Sequence, residues 1–212
     1  MGKPKILLAD DHVLIAEAFK KLLEPDFEVV AIVSDGRRLL QCAPQMNPDV
    51  ILIDIGMPLL NGMDAGERIK SLLPKTKLIA LTMVDDYEIA SKALRTWASG
   101  YILKSSGAPE LIRAIREALR GNRYVAARIA KRQEEEFVRD PKADRAKNLT
   151  ARQREVLQLL AEGRTMKEAA SVLDVTTRTI AFHKYRIMEE FGIRTNSELV
   201  RFAMKEHVVA LA

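Results

Sequence analysis

Five short apolar runs, each followed by a segment of helical periodicity, most tightly limit how the first half of this 212-residue chain folds. The runs are Lys5–Ala9, Glu28–Val33, Val50–Ile53, Lys77–Leu81 and Gly100–Leu103. Four of them are apolar on both faces, the pattern of parallel strands covered by helices on either side. The segments between and after them, Val13–Leu23, Arg37–Ala43, Asp64–Leu72, Tyr87–Trp97 and Pro109–Leu119, repeat apolar residues at three- and four-residue spacing. Right-handed crossovers then wind the five units into a doubly wound α/β domain with a five-stranded parallel sheet. Pro109 suits the first turn of the last helix and Gly121 its end, so this domain is expected to span residues 3–121.

The rhythm changes after Gly121. Arg128–Arg139 reads as a charged helix and Asp140–Lys147 as a polar, proline-containing connection, so 122–147 is expected to be a linker. From 148 to 212 only helical periodicity remains. Thr150 opens a capping signature before Ala151–Glu162, Gly163 ends that helix, and Met166–Leu173, Thr177–Phe191 and Ser197–His207 complete an all-α, four-helix domain. Residues 1–121 are charge-neutral, so the whole net charge of +5 lies in the second half, as expected for a partner that is a polyanion. No apolar run reaches the roughly 18 residues of a membrane span. Cys42 stands alone, without metal-ligand spacing, and reads as a small buried hydrophobe. A cytoplasmic protein, not attached to a membrane, is expected.

In an open parallel sheet the reactive edge lies at the carboxyl ends of the strands. Here those ends carry Asp10-Asp11, Asp54, Thr82 and Lys104. Three carboxylates at one rim repel one another unless a cation sits among them, and hard oxygen ligands suit Mg²⁺. A carboxylate facing such a cation is a nucleophile for phosphoryl transfer, with Lys104 and the Thr82 hydroxyl left to hold phosphoryl oxygens. Asp54 ends the central strand and is the expected acceptor. A phosphatase of the haloacid-dehalogenase type would need a second acid two residues on, where Gly56 stands.

Met166–Leu173, a short turn and Thr177–Phe191 have the helix-turn-helix layout. At about 100° per residue, Ile180, Ile187 and Phe191 share an inward stripe. Arg178, Ala181, Phe182, Tyr185 and Glu189 share the outward one. Exposed Phe182 and Tyr185 suit a major groove, with Lys167, Lys184 and Arg186 flanking them to meet phosphates. Thr176 is placed to cap the helix and reach a phosphate, and Thr179 joins this set of expected DNA contacts. RNA is disfavoured because no aromatic β-surface is available to stack bases.

Residues 3–121 resemble the receiver domain of two-component response regulators. The matching stretches are Leu7–His12, Ile53–Pro58 with Asn61-Gly62, Ala80–Thr82 and Gly100–Ser105. Residues 148–207 resemble the helix-turn-helix of the LuxR/NarL/FixJ group through Leu149–Leu157, Leu160–Gly163, Lys167–Ala170, Thr176–Ile180, His183 and Arg186–Met188. The resemblance implies a flavodoxin-like receiver whose phospho-acceptor is Asp54, with Asp10, Asp11, Asp54 and the Gly56 carbonyl serving Mg²⁺. It implies that Thr82 and Lys104 hold the phosphoryl group and that Tyr101 changes rotamer. It places base contacts on Ala181, Phe182 and Tyr185. The implied protein is a transcription regulator rather than an enzyme. A histidine kinase is its donor, double-stranded DNA its target, and it forms a homodimer when phosphorylated. Trp97 departs from the small residue usual in relatives, so an altered fourth-helix surface is expected. Gly56 and Val84 offer no polar group to position an attacking water, so slow self-dephosphorylation is expected.

Overall fold

The computed structural model describes residues 2–83, 85–126 and 149–209. The expected helix over 128–139, the rest of the connection to 147, and Val84 lie outside the described residues. The chain forms two compact units, Met1–Met57 with Gly62–Pro141 and Lys142–Ala212 with Pro58–Asn61.

The first unit contains β1 (Lys5–Ala9), β2 (Glu28–Val33), β3 (Val50–Asp54), β4 (Lys77–Thr82), β5 (Gly100–Leu103) and β6 (Tyr124–Val125). Their order in the sheet is β2-β1-β3-β4-β5-β6, and every neighbouring pair is parallel. Helices α1 (Val13–Leu23), α2 (Gly36–Met46), α3 (Gly62–Leu72), α4 (Tyr87–Thr96) and α5 (Ala108–Leu119) supply the crossovers. Burial follows the reading from sequence. Every residue of β3 and β5 is buried, whereas β2, at the edge, is mostly half-buried. One core cluster joins Ile6, Leu8, Leu52, Ile79 and Leu81 of the strands to Leu111, Ala114, Ile115 and Ala118 of α5.

The five-stranded sheet needs correcting to six. Tyr124 and Val125 fall within the expected linker, yet they pair with Gly100 and Tyr101 of β5. The Tyr124 amide donates to the Ser99 carbonyl at 3.1 Å, and the Ala126 amide donates to the Tyr101 carbonyl at 3.1 Å. Two residues are too short a run for periodicity to reveal, although an aromatic followed by a β-branched residue suits a pleated edge. Helix α2 also runs past its expected end at Ala43 to Met46, where Asn47 stops it in the left-handed conformation at φ 43°. Gly121 closes α5 as expected, at φ 89°.

The second unit contains α6 (Ala151–Ala161), α7 (Met166–Leu173), α8 (Thr177–Phe191) and α9 (Asn196–Lys205). Full capping boxes open α6, α7 and α9, each with a Thr N-cap and Gln153, Glu168 or Glu198 reaching back to the cap amide. Only the first of these was read from the sequence. Ala169 and Ala170 are buried where α7 crosses its neighbours, and Ile180 and Ile187 turn fully inward from α8. Phe191 stacks on Phe202 of α9 with ring centres 4.6 Å apart.

Candidate functional site

Four adjacent strand ends build the first site. Asp10 follows β1, Asp54 closes β3 and Lys104 follows β5; Thr82 closes β4, lying between β3 and β5. The backbone locks these ends together, with the Ile55 amide donating to the Leu81 carbonyl at 3.0 Å and the Lys104 amide to Thr82 at 2.7 Å. Gly62 allows α3 to start directly against β3, because a Cβ there would run into the Asp54 carbonyl.

Asp10 and Asp54 are each only 3% exposed. The Lys104 ammonium lies 2.8 Å from Asp10 Oδ2 and 2.8 Å from Asp54 Oδ2, and donates to Asp10 Oδ1 at 2.9 Å. The Gly56 amide donates to Asp54 Oδ1 at 3.2 Å. Burial raises the affinity of the Asp54 carboxylate for a proton; Lys104 offsets part of that rise and Asp10 adds to it. Asp11 sits half-buried at the mouth of the site. His12, which the sequence reading passed over, brings Nδ1 to 3.0 Å from Asp11 Oδ1 and 3.2 Å from Asp10 Oδ1. Its place directly after the Asp pair was the available signal.

Ligand atoms of Asp10, Asp11, His12 and Asp54 all lie within 4.8 Å of one another. Three carboxylates face a single buried ammonium. Asp11 Oδ1 is buried against the His12 imidazole, and the Oδ2 atoms of Asp10 and Asp54 share the Lys104 ammonium. This excess negative charge on oxygen fits a hard divalent cation. Tyr101, fully buried on β5, points inward beside Thr82. Burial pushes its phenol well above the ordinary range, Thr82 partly opposes that, and Asp86 and Asp85 reinforce it. Trp97 does not alter the exposed surface of α4 as expected. It turns inward, 3% exposed, against Gly66 of α3, where a Cβ would lie 2.5 Å from the ring.

The second site is α8. Phe182 and Tyr185 remain 57% and 59% exposed while Ile180 and Ile187 are covered. Arg178 is also exposed, Thr179, Ala181 and Lys184 are half-buried, and Lys167 is exposed on α7. The Thr179 amide donates to Thr176 Oγ1 at 3.2 Å, so Thr176 caps the helix as expected. The Lys184 ammonium lies 5.8 Å from the Tyr185 ring centre and the Arg186 guanidinium 5.9 Å from that of Phe182.

The profile of the response regulator receiver domain matches residues 6–116, and that of the bacterial regulatory proteins of the luxR family matches 147–203. The chain belongs to the LuxR-type response regulators. These are DNA-binding transcription regulators of two-component systems rather than enzymes. This response regulator is 37% identical to the oxygen regulatory protein NreC of Staphylococcus aureus, over 97% of this chain and 99% of the relative. A LuxR-family two-component response regulator from Aurantimonas sp. is 32% identical over 65% of this chain and 99% of its own, with a TM-score of 0.62. The RcsB response regulator of Salmonella typhimurium is 25% identical over 99% of this chain and all of its own, with a TM-score of 0.66. An RcsB–DNA complex matches at 25% identity over 95% of this chain and 98% of its own, with a TM-score of 0.60. Among the described residues no helix is long and apolar enough to cross a membrane.

Proposed function

We propose that Asp54 accepts a phosphoryl group from a histidine kinase and that this acceptance controls binding of the second unit to double-stranded DNA. The observation that carries the reading is the buried pairing of Asp54 and Asp10 with one Lys104 ammonium at the strand ends. A carboxylate oxygen of Asp54 attacks phosphorus, the phosphorus–nitrogen bond of the donor breaks, and its electron pair returns to the kinase imidazole. Asp10, Asp11, Asp54 and the Gly56 carbonyl would hold Mg²⁺, which supplies charge neutralisation at the phosphoryl oxygens when bound. Lys104, already among the carboxylates, then pairs with a phosphoryl oxygen, and the Thr82 hydroxyl donates to another. Thr82 moving toward that oxygen changes the packing around Tyr101 and so the surface of α4, β5 and α5.

On the DNA side, α8 enters the major groove with Arg178, Ala181, Phe182 and Tyr185 toward the bases. Lys167, Thr176, Thr179 and Lys184 meet the backbone. The phosphorylated form acts as a homodimer on two half-sites, in the cytoplasm. Residues 3–121, 122–147 and 148–212 act as receiver, connection and DNA-binding domain, with β6 reaching from the connection into the receiver sheet.

The test is selection of DNA from a random-sequence duplex library by the full chain, with and without beryllofluoride as the phosphoryl mimic. The reagent is expected to raise affinity for a two-fold-symmetric site, and Asp54→Ala to abolish the gain. Equal affinity with and without the reagent in the wild-type protein would overturn the phospho-switch.

A further inference from the structure

From the groups exposed on α8, we infer that the protein recognises its operator by the 5-methyl groups of thymine, through Phe182 and Tyr185. The inference rests on the DNA-binding reading above and specifies what is read.

The centre of the outward face of α8 is occupied by a methyl and two rings, with its hydrogen-bonding groups set around them. The helix, Thr-Arg-Thr-Ile-Ala-Phe-His-Lys-Tyr-Arg-Ile-Met-Glu-Glu-Phe, has no Asn or Gln, so it lacks the side chains that bond adenine through two contacts. Arg178, near the start, is the one guanidinium central to that face. Thr179 is partly committed to the cap, its hydroxyl 3.0 Å from that of Thr176. What remains at the centre is the Ala181 methyl and the rings of Phe182 and Tyr185, both more than half exposed. The only apolar group that a base pair presents in the major groove is the thymine methyl. The patch made of a methyl and two rings therefore gains from thymine, while Arg178 at the helix start is left to read a neighbouring base.

The rings are also held in place. Arg186 stands over the Phe182 ring, His183 meets that ring edge-on with centres 5.4 Å apart, and Lys184 stands over the Tyr185 ring. Each aromatic thus has a cation on its flank, which restrains the ring and leaves the positive charge beside it for the phosphates. Along the helix axis Phe182 and Tyr185 are separated by about 4.5 Å, so the methyls they meet lie within one or two base steps.

The experiment uses the full chain with beryllofluoride and the duplex recovered from the random library. Thymines are replaced one at a time by deoxyuridine, which removes the methyl and preserves pairing, and affinity is read by fluorescence anisotropy. At one or two thymines of each half-site the replacement should weaken binding about three- to fivefold, the worth of one buried methyl group. Phe182→Ala should bind more weakly and lose the response to uridine at its own position. Tyr185→Phe should keep it, because the ring and not the hydroxyl reads the methyl. Tight, beryllofluoride-enhanced binding that is indifferent to uridine at every position would overturn the inference while leaving the DNA-binding reading standing. Failure to retain any DNA would overturn both. A Phe182→Ala protein that keeps its DNA affinity but changes its oligomeric state would assign the ring to a subunit contact instead.

Discussion

At the scale of single residues, two groups make the chemistry of this protein measurable. Asp54 is flanked two residues on by Gly56, whose amide contacts the carboxylate and which has no side chain to orient water. The purified phosphoprotein should therefore hold its phosphoryl group well beyond seconds, and a half-life of a few seconds by radiolabel release would contradict this. His183 on α8 is the second group. Partial burial, followed by the positive charges of Arg152 and Arg186, lowers its affinity for a proton below the ordinary value of about 6.5. Above that value the ring is neutral whether the unit is folded or not, so it costs nothing. As the pH falls through 6.5 the unfolded ring is protonated first, and stability is lost until the folded ring titrates too. Urea unfolding followed by circular dichroism between pH 7.5 and 5.5 should show this loss, and His183→Gln should flatten it.

At the scale of elements, the Trp97–Gly66 contact fastens the end of α4 to α3. Gly66→Ala would force a Cβ to 2.5 Å from the indole. Such overpacking should cost roughly 1–3 kcal/mol in chemical denaturation, and Trp97→Leu in the same chain should recover much of the loss. Thr195 tests the other unit. Its hydroxyl accepts from the Glu198 amide and opens α9, so Thr195→Ala should cost about 1 kcal/mol. The elements themselves were largely legible because their signals are periodic. Buried parallel strands leave runs such as Val50–Ile53, and α8 shows its core stripe at Ile180 and Ile187. The acidic rim was legible for a topological reason, since residues that follow parallel strands share one edge. What escaped the sequence was short or three-dimensional. Tyr124–Val125 is too brief to carry a period, the inward turn of Trp97 depends on a glycine some thirty residues earlier, and His12 acquires meaning only once its neighbours converge.

At the scale of the whole molecule, two kinds of DNA contact should separate by their response to salt. Lys167 and Lys184 are proposed to meet phosphates, so removing either should reduce the slope of log affinity against log salt by about one. Phe182→Ala, which removes no charge, should leave the slope unchanged in the same titration. The sixth strand ties the end of the first unit to its switch aromatic. Beyond α5 the chain does not leave the sheet at once; it is pinned first, with the Ala126 amide bonded to the carbonyl of Tyr101. Ala126 is therefore fastened to the backbone of the very aromatic proposed to reorient. Any shift of the Tyr101 main chain must carry Ala126 with it or break the hydrogen bond between them.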